Sequence, residues 1–246
     1  MNNIIYIICQ ILTFLIVFFL VAITTYGLRR AYMKMGKDWI QQQQIIKWVF
    51  YGMVCWLLIL VVLATMGFYG RFDILPPRIF VFAIFPALLL FISLLFSKNF
   101  QAILQHLPLH GLIRVQSFRI VMEIMLWLGC VGQFIPFQMT FLGFNMDIIV
   151  GLTAVIAAKV FVTNQRLLVF ESIIWNLFGI FLLVSIVFVA TISTPAPFQV
   201  FKNMPDSSFL ATPVFIWIPG FIVPYAIALH LYSVRQVLLF NKKMNS

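Results

Sequence analysis

Charge is what this sequence has least of. Only 9 % of its 246 residues are Asp, Glu, Lys or Arg, and six of those are acidic. A globular domain carries about 25 %, and a compact particle of this size could not cover its surface with so few charged side chains. An ordinary water-soluble fold is thereby excluded. Cysteine is also scarce: Cys9, Cys55 and Cys130 form no close pair and all fall in apolar runs, so they read as small buried residues and not as a disulfide framework or a metal site. With three histidines in the chain, and His230 alone inside an apolar run, a membrane cytochrome of the two-histidine type has no ligand pair. The last apolar run has no lysine, since Lys242 and Lys243 follow it, so a retinal Schiff base has no place. Gly-x-Ser-x-Gly, His-Glu-x-x-His and phosphate-binding glycine loops are missing too. No catalytic residue, cofactor or metal is therefore expected, nor is nucleotide-driven pumping by this chain alone.

What the chain has is apolar length, with 63 % of its residues hydrophobic. A helix needs roughly 20 mostly apolar residues to cross a hydrocarbon core about 30 Å thick. Seven runs qualify: Ile4 to Tyr26, Ile46 to Met66, Arg78 to Phe96, Val115 to Phe134, Met146 to Thr163, Leu168 to Ile192 and Phe209 to Leu239. Pro76 and Pro77 suit the start of the third run, where a missing N–H costs nothing. Pro213, Pro219 and Pro224 predict that the seventh bends or starts late. Met1, Asn2 and Asn3 carry no side-chain charge ahead of the first run, so that run is expected to stay attached. The stretches between runs are too short for a soluble domain. The expected fold is all-α: a single polytopic transmembrane bundle over residues 1–246.

Basic residues set the orientation, because cytoplasmic loops retain them. Arg29, Arg30, Lys34, Lys37, Lys47, Lys98, Arg114, Arg119, Lys159, Arg166, Arg235, Lys242 and Lys243 fall on one side of a seven-span arrangement, and Arg71, Arg78 and Lys202 on the other. This places the amino terminus outside and the carboxyl terminus in the cytoplasm. The net charge of +10 is accounted for by anchoring to anionic lipid, without a nucleic-acid partner.

Ionisable groups inside the runs are the informative exceptions, each costing ~2.5 to 3.5 kcal/mol at mid-depth on insertion scales. Glu123 lies about 12 Å from the cytoplasmic end of the fourth run at ~1.5 Å per residue, with Arg119 one turn below on the same face. His230 and Asn176 fall in the same layer, and His230 is the expected second partner of Glu123. Arg119, Glu123, Asn176 and His230 thus form a candidate layer for binding or proton handling. The competing reading is interhelical packing, at ~0.6 kcal/mol per bond. On the outer side, Arg78 and Asp147 suggest an ion pair across a vestibule lined by Gln133, Gln138 and Asn145, or else two ordinary capping and anchoring residues. His106 and His110 are four apart, but Pro108 between them argues for loop residues.

The run Gln116-Ser117-Phe118-Arg119-Ile120-Val121-Met122-Glu123-Ile124-Met125-Leu126-Trp127, the residues Pro136 and Met139-Thr140-Phe141, and the run Asn145-Met146-Asp147-Ile148-Ile149-Val150-Gly151-Leu152-Thr153-Ala154 resemble a family of uncharacterised bacterial multi-pass membrane proteins. Pro76-Pro77-Arg78 and the stretch Pro219 to His230 fit the same pattern. Where that family carries an acidic residue after the Thr-Phe pair, this chain has Leu142-Gly143. The resemblance implies a bacterial inner-membrane protein and supplies no activity. Three functions stay open. The first is binding of a small molecule, lipid or membrane-protein partner within the bundle, as a transporter or sensor component. The second is a structural subunit or assembly factor. The third is an enzyme with Glu123 and His230 as acid and base on a lipid-soluble substrate, which requires both at one cavity.

Overall fold

A computed structural model describes residues 3–161 and 168–244. Thr163, at the end of the fifth apolar run, Arg166 beyond it, and Met1 and Asn2 lie outside the described residues. The described residues are helical, with no strand among them. In chain order the α-helices are α1 (Asn3–Lys34), α2 (Trp39–Thr65), α3 (Phe85–Leu94), α4 (Lys98–His106), α5 (Leu109–Val115), α6 (Phe118–Val131), α7 (Ile148–Val160), α8 (Val169–Ile192) and α9 (Val223–Met244). Four helical segments are long and apolar enough to cross a membrane, namely Asn3–Lys34, Trp39–Thr65, Val169–Ile192 and Ile218–Lys242; Phe80–Leu94 with Lys98–His106, bent by 77°, makes up to five.

Two prolines shape the interior. Pro86 and Pro224 each follow a π-helical turn, Phe80–Ile84 and Ile218–Ile222. A proline in a helix has no N–H for the carbonyl four residues back, and its ring crowds that carbonyl. Widening to a five-residue repeat relieves the crowding: Phe85 N donates to Phe80 O, and Val223 N to Ile218 O. The carbonyl that Pro224 leaves free is that of Gly220, and Trp56 Nε1 donates to it at 2.9 Å. The two turns pack on each other at the centre, where Gly220 lies against Leu60 and Ala83.

The fourth and fifth runs depart from plain spanning helices. At 14 and 13 residues, α6 and α7 are about 21 and 20 Å long, short of the hydrocarbon thickness of about 30 Å. α6 ends in a Schellman motif, with Gln133 N bonded to Cys130 O and Phe134 N to Gly129 O. Gln133 takes the left-handed position there (φ 61°). The chain then folds back along α6, and Phe134, Ile135, Pro136, Gln138, Met139, Thr140 and Asn145 are buried. Its backbone is satisfied locally by bonds such as Thr140 N to Phe137 O, Phe144 N to Gln138 O and Asn145 N to Thr140 O. Irregular backbone at membrane depth is tolerated where protein surrounds it in this way. Gly143 lets the turn close, since a Cβ there would sit 2.5 Å from Phe137 O. α7 consequently begins beside the first turn of α6, where a Cβ on Gly151 would lie 3.0 Å from Ile120 N and 3.3 Å from Arg119 Cβ. From there α7 continues along α5, with Ile113 against Ala157 and Ala158.

Pro108 separates two short helices, so His106 closes α4 and His110 opens α5. The expectation of loop residues is corrected accordingly: the proline breaks the helix between them without unwinding either side.

Candidate functional site

The return of residues 132–147 decides which polar side chains meet. Asp147 stands just before the first turn of α7 and Arg119 in the first turn of α6; Arg119 Nη1 donates to Asp147 Oδ1 at 2.7 Å, with the two residues 1 % and 5 % exposed. Glu123, one turn further along α6, accepts at Oε1 from Asn145 Nδ2 at 2.7 Å. The same amide donates to Met139 O, and Asn145 Oδ1 accepts from Asp147 N, so one side chain ties the return segment to both carboxylate-bearing elements. Arg119, Glu123, Asn145 and Asp147, expected at opposite ends of the bundle, thus form one cluster. Alternation of loops had put Asp147 at the outer surface; the buried return segment brings it down to Arg119.

The other expected residues lie elsewhere. His230 is fully buried and bonds through Nδ1 to Asn176 Oδ1 at 2.9 Å; Asn176 Nδ2 donates to Ser233 Oγ at 3.2 Å and to Ser172 O at 2.7 Å. No hydrogen bond joins this group to Glu123 among the described residues, whose partner is Asn145 and not His230. Arg78 does not pair with Asp147: its guanidinium lies over the Phe68 ring, 4.7 Å from the centroid. Gln133 is an exposed helix cap. Gln138 is buried, donates to Ser193 Oγ and accepts from Asn203 Nδ2, both at 3.0 Å.

A cavity of about 90 Å³ adjoins the Arg119 cluster. Arg119, Glu123, Asn145 and Asp147 line it on one side, and Phe72, Phe80, Phe118, Ile186, Leu210 and Ile222 are among its apolar walls. His230 and Asn176 are not in its wall. α3 and α8 both pack on α9, and residues of α8 and of the Phe80–Ile84 turn both line the cavity. Both π-turns therefore contribute to it. Sequence reasoning missed the aromatic walls and Ser233. Ser233 stands three residues after His230 on one helix face, a spacing that could have signalled it; nothing local marked Phe72.

Residues 76–238, about two thirds of the chain, match the family described as "Domain of unknown function (DUF8737)". The chain belongs to this family. The matched segment begins at the proline pair ahead of the third run and contains every cavity-lining residue but Phe72. No curated protein and no solved structure matches the chain. A family without an assigned activity agrees with the coarse part of the resemblance drawn from the Gln116 to Ala154 segments.

Proposed function

We propose that this chain is a seven-pass membrane protein that binds a small amphiphile inside its helical bundle, as part of a transporter or sensor. The observation that carries the reading is the cavity, which sets apolar walls against the Arg119, Glu123, Asn145 and Asp147 cluster. Ligand sites are of this kind, mostly apolar with a few convergent polar groups that fix orientation. Packing alone does not require a space beside buried charge. The partners in this reading are membrane lipids and the amphiphile, and the membrane is the bacterial cytoplasmic one.

Seven passes with the amino terminus outside are supported by contacts at one end of the bundle. Gly27 adjoins Leu107, Ala31 and Tyr32 pack with Ile103, and Arg235 bonds to Gln101. The basic residues Arg29, Arg30, Lys34, Lys98 and Arg235 gather there, as cytoplasmic basic residues do. In this reading the fifth pass consists of the buried return segment followed by α7, a broken crossing of the sort that lines binding sites in transporters.

Native mass spectrometry of the detergent-purified protein with 1-octanol tests the reading. The wild type is expected to retain the alcohol, and Val187→Trp and Ala190→Phe, which fill the cavity from α8, to lose it. Equal retention by all three overturns the proposal.

A further inference from the structure

The charge around the cavity does not close on itself. Three ionisable side chains line it, Arg119, Glu123 and Asp147. Arg119 and Asp147 compensate each other at 2.7 Å. Glu123 receives only a neutral amide, from Asn145, and its Oε2 is buried with no partner. Among the described residues, the elements around it bring no second cation to the cavity: Arg119 comes from its own helix, Asp147 and Asn145 from the return segment, Leu183 and Ile186 from α8, and Ile222 and Ala226 from the last helix and its π-turn, while α1 meets α6 through Cys9 and Met125. A lone carboxylate in such surroundings either holds a proton or holds a cation.

Resting on the amphiphile-binding reading above, we infer that the cavity takes a small amphiphilic cation of the alkylammonium class, whose head replaces the proton on Glu123. In the empty protein the carboxyl keeps its proton. On binding, the O–H bond breaks, the proton leaves to water, and an ammonium N–H donates to Oε2, so one positive charge is exchanged for another and the net charge of the site is unchanged. Phe72, Phe80 and Phe118 line the same space, and aromatic faces attract a desolvated cation. The volume of about 90 Å³ admits a small head, less than the ~150 Å³ that holds a benzene. The tail then runs along the apolar walls between α8 and the Phe80–Ile84 turn. Arg119 Nε and Nη2 also lack partners, an edge that suits an oxyanion, as Arg71 shows by gripping Asp73 with the same two nitrogens at 2.9 Å. An anion there, however, would add a second negative charge beside Asp147 against the single positive charge of Arg119.

Three probes with one tail decide the matter: octylammonium, 1-octanol and octanoate, titrated into the full-length protein with the released protons counted. The wild type is expected to bind octylammonium at least tenfold more tightly than octanol, to release about one proton per ligand, and to lose affinity by about tenfold per pH unit on the acid side. Glu123→Gln should abolish proton release and bring octylammonium down to the level of octanol. Should that variant fail to fold, proton release by the wild type alone decides. Octanol retention that Val187→Trp removes, together with octylammonium that binds no better and releases no proton, overturns the cation inference and leaves the amphiphile reading standing. Tightest binding by octanoate also overturns it and moves the head to Arg119. Failure to bind octanol or either charged probe overturns the amphiphile reading itself.

Discussion

The Arg119–Asp147 pair holds two charges out of water, joined by one bond at 2.7 Å. Removing one partner strands a buried charge, which typically costs about 3–5 kcal/mol, whereas replacing both by apolar residues of similar volume is often close to neutral. Asp147→Ala is therefore expected to lower the thermal unfolding midpoint sharply, and Arg119→Met with Asp147→Leu to recover most of the loss. Unfolding of the two variants in one detergent measures the difference; equal midpoints would mean that the pair is not a closed unit. At this scale the sequence was informative about cost and poor about partners. Glu123, Arg119 and His230 stand out because ionisable residues are rare in apolar runs, and Asn176 because its polar amide falls in the same layer. The partner of Glu123, Asn145, sits 22 residues away at the end of an irregular segment, and no periodicity connects them.

Elements built on proline show how a local rule becomes tertiary. Pro224 removes a donor from Gly220 O, and the indole of Trp56 on α2 supplies one at 2.9 Å. Trp56→Phe leaves that carbonyl buried without its side-chain donor, a loss of about 1–3 kcal/mol. In a Pro224→Ala background the amide at 224 is restored, so the same Trp56→Phe change should cost markedly less. A double-mutant cycle read by thermal unfolding gives the coupling; additive costs would show that Trp56 stabilises through packing alone. The late start of the seventh run, whose spanning segment begins at Ile218 and not at Phe209, was legible because proline acts on its own backbone. The return of residues 132–147 was not, because hydropathy reports how apolar a segment is and not which way it runs. Its signals are local and weak: a Gln in the left-handed cap position, and a glycine at 143 packed on Phe137 O and Gln138 Cα.

For the whole molecule, the apolar runs at α1, α2 and α8 were plain because each faces its surroundings along its whole length, and composition alone marks such helices. The fifth run separates the alternatives for topology. If residues 132–160 complete a crossing, Lys159 belongs on the same side as Lys37, and Lys202 on the opposite side; if the return segment and α7 turn back without crossing, α8 crosses in the opposite sense, so Lys159 lies outside and Lys202 shares a side with Lys37. All three side chains are exposed. Single Lys→Cys substitutions at these positions, in a background with the native cysteines replaced by alanine, can be labelled on intact cells with a membrane-impermeant maleimide. Lys202→Cys is expected to label at once, and Lys37→Cys and Lys159→Cys only after permeabilisation. Labelling of Lys159→Cys on intact cells, with Lys202→Cys labelled only after permeabilisation, would reduce the passes by one and set the end of α9 on the outer side, against the bond of Arg235 to Gln101 on α4.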